Sequence, residues 1–210
     1  FFDSIVRDFG LGVDIHGQAS PGALIVTNHI SWAEIAALAA RVDADFVAKA
    51  EVGRWPVVGP LARRFGVILV VRERRTQSGD QADSIRARLE AGRSVILFPE
   101  GTTSDGTGVL PFRTRLFAAA DGARAVQPAV IRYTYPDGTP LSPQRQREVA
   151  WIGDDDLLEG ALRVARERTR LEIIFLDPID PCRFPDRKAL ADAARSAIVS
   201  AYAAAPNRPR

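Results

Sequence analysis

ALIVTNHISWAEIAALAAR, residues 23–41, changes its hydrophobic period part-way along. Its first five residues are β-branched or apolar without a break, as in a strand covered on both faces, whereas WAEIAALAAR repeats its apolar positions at helical spacing. The stretch therefore reads as strand, turn, helix. Asn28 and His29 occupy the turn, and Ser31 is expected to cap a helix starting at Trp32.

The same alternation continues along the chain. Strands are expected at LGVDIHG, ADFVAK, GVILVV, SVILFP, AVQPAVI, EVAWIG and RLEIIFL. Helices are expected at PLARRF, SGDQADSIRARLEAG, RLFAAADGA, DDDLLEGALRVARE and from about Asp186 to Ala205. Gly92 and Gly122 serve as stops. Short strands alternating with helices predict an α/β fold, a layered single domain over residues 1–210 with a mixed, mostly parallel sheet flanked by helices. The turn-rich YPDGTPLSPQRQR, residues 135–147, reads as a long excursion from that layout.

Composition sets limits on partners. With 46% hydrophobic residues the chain can bury one good core, and 28 basic against 26 acidic side chains are too evenly balanced for electrostatic wrapping of nucleic acid. Locally, Arg63, Arg64, Arg72, Arg74 and Arg75 flank the apolar VILVV, a mixture suited to phosphate headgroups at a membrane surface. Cys182 is alone and there are two histidines, so neither an internal disulfide nor a conventional zinc site is expected, and a reducing, cytoplasmic setting is. No apolar run is long enough to span a bilayer. The chain starts at Phe1 and has no Met, which predicts a fragment whose N-terminal anchor is absent; FFDSIVRDFG carries apolar residues at helical spacing, as a membrane-facing or core-facing helix would.

Chemistry concentrates in two places. In NHISWAE, Glu34 lies five positions after His29, near enough to take a hydrogen bond from one ring nitrogen while the other faces a substrate. A carboxylate so placed fixes the tautomer and stabilises the imidazolium, which makes His29 a general base. No Gly-x-Ser-x-Gly elbow exists and Cys182 is remote, so the nucleophile is read as a hydroxyl of the substrate. In SVILFPEGTTSDGTG, residues 94–108, a strand stops at Pro99 and enters a loop whose amides near Gly101 and hydroxyls of Thr102, Thr103 and Ser104 suit an anion. It is not a Walker loop, because the Lys is missing.

Together these segments resemble the glycerolipid acyltransferase family of lysophosphatidic acid acyltransferase type. Four blocks match: His29 and Glu34 in NHISWAE, Gly66 and Arg72 in GVILVVR, FPEGT from Phe98 to Thr102, and Pro128 in VQPAVI. Lys49 stands in a familiar place between the first two. The departures are Glu34 where Asp is commoner, Leu69 where Phe is, and FRTRLF in place of a Phe-Lys stretch.

The resemblance implies an O-acyltransferase with a glycerol-3-phosphate acyltransferase-like α/β fold. It implies an acyl-CoA or acyl carrier protein donor, a lysophospholipid acceptor, 1-acylglycerol-3-phosphate giving phosphatidic acid in the first place and a lyso-ornithine lipid as the alternative, and no metal or cofactor. It places the chain on the cytoplasmic face of the inner membrane. His29 and Glu34 would be catalytic; Gly66, Arg72, Glu100, Gly101, Thr102 and Lys49 would bind substrate, with Arg72 and the FPEGT loop holding the acceptor's phosphate. A non-catalytic lipid-binding module is the alternative of another class.

Overall fold

The computed structural model describes residues 10–49, 67–70, 78–153, 155 and 157–204. Seven strands form one sheet: β1 (Leu11–His16), β2 (Leu24–Thr27), β3 (Ala44–Lys49), β4 (Ile68–Val70), β5 (Ser94–Leu97), β6 (Val126–Thr134) and β7 (Thr169–Phe175), in the order β1-β7-β6-β2-β5-β3-β4. All pairs are parallel except β6 with β7. This is the mixed, mostly parallel sheet the alternating pattern predicts.

The central strands β2 and β5 are buried at every residue. Successive side chains of a strand point to opposite faces, and both faces here are covered. Ile25 and Ile96 pack on one side with Ala37 and Leu38 of helix α1 (Ala33–Arg41). Leu24, Val26 and Val95 pack on the other against Ile85 and Leu89 of α2 (Ser78–Glu90), Phe117 of a 3-10 segment (Thr114–Gly122), and Ala191, Ala194 and Ile198 of α5 (Arg187–Ala203). Asp186 caps α5 by accepting from the amides of Lys188 and Ala189, both at 2.8 Å. Gly92, at φ +80°, turns the chain out of α2 as a helix stop requires.

Two local expectations are corrected. EVAWIG is no strand: Glu148 and Val149 finish helix α3 (Pro143–Val149), and Ala150 to Gly153 follow it without strand pairing. The run of apolar side chains there mimics a strand, but Ser142 followed by Pro143 starts a helix, with the Ser142 hydroxyl accepting from the Arg145 amide at 3.2 Å. RLFAAADGA, expected as an α-helix, is wound as a 3-10 segment. Helix α4 (Leu157–Ala165) lies within DDDLLEGALRVARE. PLARRF, residues 1–9 and the arginine cluster around VILVV lie outside the described residues.

The register places the functional loops. Val26 of β2 stands beside Leu97 of β5, and Thr27 beside Ala129 of β6. Because these strands run parallel, the segments leaving their carboxyl ends emerge together, which is where open α/β sheets place their ligands.

Candidate functional site

His29 is the second residue after β2, and almost every group on it is held. Asn28, fully buried, prolongs the sheet with its side chain: its Nδ2 donates to the Ile131 carbonyl and its Oδ1 accepts from the Ile131 amide, each at 2.8 Å. The His29 amide donates to Glu100 Oε1 at 3.3 Å. Its carbonyl accepts from the Ser104 amide at 2.8 Å and the Ser104 hydroxyl at 3.1 Å. Its ring stacks on Phe98, with centroids 4.0 Å apart and planes 25° from parallel. Backbone and ring are thus clamped by the loop that follows β5.

The ring's Nδ1 lies 2.7 Å from Glu34 Oε2. Glu34, with no exposed surface, uses its other oxygen to accept from the amides of Ile30 at 2.9 Å and Ser31 at 2.7 Å. This corrects the expected cap. Helix α1 begins at Ala33 with no side-chain cap, and the Glu34 carboxylate serves the amides of the preceding turn instead of Ser31 doing so. A carboxylate fixed by two amide donors presents its second oxygen to Nδ1 in one orientation, so Nδ1 carries the ring proton and Nε2 is the basic nitrogen. Among the described residues nothing hydrogen-bonds to Nε2, and the side chain keeps 14% of its surface exposed.

The FPEGT loop is less open to an anion than its sequence suggests. Glu100 is 3% exposed and its carboxyl is turned toward the His29 backbone. Burial, the largest influence, pushes it from 4.5 to about 8. The neighbouring Glu34 charge also raises it, while the His29 and Leu110 amides and Arg195 pull it down. It is therefore mostly protonated at neutral pH. The Thr103 hydroxyl donates to the Trp151 carbonyl, and Ser104 is spent on His29. Thr102 is exposed, and Gly101, at φ +74°, makes the turn between them. Trp151 also donates its amide to the Ile30 carbonyl at 2.9 Å, so the segment after α3 ties the two motif loops together.

Of the other residues singled out in the sequence, Lys49 ends β3 beside Val70 of β4, at the same end of the sheet as His29. Pro128 lies inside β6, opposite Val26. Gly66 and Arg72 lie outside the described residues.

Sequence reasoning missed the contribution of α5. Arg195 donates to the carbonyls of Val109 at 2.5 Å and Leu110 at 2.9 Å, and the Tyr202 hydroxyl donates to the Gly106 carbonyl at 2.5 Å. These bonds span 85 to 96 residues of sequence, and no local pattern announces them. Among the described residues no cluster of His, Cys, Asp and Glu is suited to a metal ion.

The family model described as Acyltransferase matches residues 12–145. The chain belongs to the acyltransferase family. This acyltransferase is 40% identical over 203 residues to the lyso-ornithine lipid O-acyltransferase of Brucella abortus, covering 91% of the chain and 76% of the relative. It is 30% identical over 193 residues to the 1-acyl-sn-glycerol-3-phosphate acyltransferase of Neisseria gonorrhoeae, covering 91% and 74%. Its fold matches the crystal structure of the 1-acyl-sn-glycerophosphate acyltransferase PlsC from Thermotoga maritima with a TM-score of 0.67 at 19% identity, over 100% of this chain and 81% of the other.

Proposed function

We propose that this acyltransferase moves a fatty acyl group from a thioester donor, acyl-CoA or acyl carrier protein, to the free hydroxyl of a lyso-ornithine lipid at the cytoplasmic face of the membrane. The observation that carries the reading is a histidine held at its amide, its carbonyl, its ring face and Nδ1, with Nε2 left over. Nε2 takes the proton of the acceptor hydroxyl as its oxygen attacks the thioester carbonyl, a contribution of roughly 10² to 10⁴ in rate. Glu34 stabilises the imidazolium so formed. When the tetrahedral intermediate collapses, the C–S bond breaks and the same proton passes to the departing thiolate. The thioester is already activated, so the reaction calls for neither metal nor cofactor.

Identity supports the acceptor, because the relative named for lyso-ornithine lipid is 40% identical and the one named for 1-acylglycerol-3-phosphate 30%. The phosphate-bearing acceptor is the second reading, supported by that second relative. Glu100 acts here as a positioning residue, an uncharged carboxyl whose oxygen accepts the His29 amide.

Purified protein incubated with labelled acyl-CoA or acyl carrier protein and a panel of lysolipids tests the proposal. Acyl transfer to lyso-ornithine lipid is expected, with loss of at least about 10²-fold in His29→Ala. Turnover by the wild type on neither acceptor, or an undiminished His29→Ala variant, refutes it.

A further inference from the structure

The loop after β5 lies beside His29, yet within Phe98–Ser104 it offers no cation, and its one carboxyl is turned inward. The basic side chain that meets it comes from further along. A Cβ placed on Gly101 would stand 2.4 Å from Arg113 Nε and 2.7 Å from its Cζ, so the guanidinium lies directly on the Gly101 backbone, in space that only glycine leaves open. Arg113 is anchored there through its main chain, its amide donating to the Pro99 carbonyl at 2.8 Å. The side chain is exposed, and no carboxylate among the described residues pairs with it. Arg195, which also approaches this loop, is committed to two carbonyls.

We propose that Arg113 is an anion-recognition residue of the acceptor site, with its guanidinium reading the carboxylate or phosphate of the lysolipid headgroup. The inference rests on the acyl-transfer reading above. An ornithine headgroup and a phosphomonoester share the feature that matters, a planar or trigonal set of anionic oxygens that a guanidinium meets through two parallel N–H donors. The placement also gives the glycine of FPEGT a specific task. Gly101 leaves room for the arginine against the loop that follows β5, the strand next to the one that delivers His29. Lysine has a single point of charge and no plane to lay against the glycine, so it would serve less well.

The test is steady-state kinetics of wild type, Arg113→Gln and Arg113→Lys, titrating each acceptor, lyso-ornithine lipid and 1-acylglycerol-3-phosphate, and separately the acyl donor. For the acceptor the wild type uses, Arg113→Gln is expected to raise KM by about 5- to 30-fold, the range for a charge-assisted contact partly screened by solvent, with Arg113→Lys between the two. The donor KM should move by less than about 2-fold, and the wild type's acceptor KM should rise with salt more steeply than that of Arg113→Gln. A rise confined to lyso-ornithine lipid assigns the guanidinium to a carboxylate; one confined to 1-acylglycerol-3-phosphate assigns it to a phosphate. An unchanged acceptor KM in an active Arg113→Gln overturns the role of Arg113 alone, and so does an equal rise for the donor, which would give the arginine to the carrier's phosphates. A wild type that acylates neither acceptor overturns both this inference and the reading beneath it.

Discussion

Replacing Glu100 with Gln should make the protein less sensitive to alkali. Glu100 is buried, accepts the His29 amide at 3.3 Å and titrates at about 8 in the fold against 4.5 ordinarily. Between those two values the native state holds a proton that the unfolded chain has released. Stability contributed by this group is therefore complete below pH 4.5 and drains away as pH rises to 8. At 1.36 kcal/mol per pH unit the whole gap is worth about 5 kcal/mol, and the interval from pH 5 to pH 7.5 about 3 kcal/mol. Glutamine keeps an oxygen for the His29 amide but has no proton to lose, so this component of the slope vanishes. Urea unfolding of both proteins at half-unit steps from pH 5 to 8 measures it: the variant should gain on the wild type by about 3 kcal/mol between pH 5 and 7.5. A difference that stays flat to within about 1 kcal/mol would mean that the Glu100 carboxyl is ionised in the fold, and the account of its burial would be wrong.

Two further outcomes follow from the same geometry. Glu34→Gln should lower kcat by about 10²-fold or more, because an amide NH₂ facing Nδ1 reverses the tautomer and puts the ring proton on Nε2; Glu34→Asp should lose less turnover but weaken the fold, since one methylene fewer cannot span His29 and the amides of Ile30 and Ser31 together. Single-turnover acyl transfer read beside a urea melt separates the two effects, and equal kcat losses would refute the tautomer argument. Arg145, 2% exposed, donates to the carbonyls of Arg163, Val164 and Glu167 and to the Thr169 hydroxyl, closing the carboxyl end of α4; Arg145→Ala should cost about 3 to 5 kcal/mol in urea unfolding by removing the charged donor that the Val164 carbonyl and the Thr169 hydroxyl meet in a buried site, and a loss under about 1 kcal/mol would show that water replaces it.

The strand and helix order was legible because buried parallel strands and amphipathic helices write different periods, as ALIVT and WAEIAALAAR do. EVAWIG misled because apolar content without a clean period suits a helix end as well as a strand, and the Ser142-Pro143 start signal sat inside a stretch read only as turns. At the site, the pairing of His29 with Glu34 could be read because it is local, five residues apart. The rest depends on which strands are neighbours. Nothing near Ser104 says that its hydroxyl will bond the His29 carbonyl, and nothing near Arg113 says that it will lie on Gly101. The first follows from β2 and β5 being adjacent, a fact of topology rather than of local composition, and the second from the segment after β5 folding back on itself, where the Arg113 amide meets the Pro99 carbonyl.

The Asn28 bridge to Ile131 joins residues 103 positions apart, the Glu100 contact to His29 spans 71 and the Ser104 contact 75. Contacts of that range are made only after long loops close, so they belong to the slow, late part of folding. A nascent chain that has emerged as far as FPEGT already contains both motifs and still lacks β6, which holds the turn bearing His29 on its other side. Activity is therefore expected only once β6, and after it Trp151, Arg195 and Tyr202, have joined the two motif loops, and not when the second motif appears. A ribosome carrying a half-made copy would hold every residue of the histidine–glutamate pair and lack the later segments that clamp it in place.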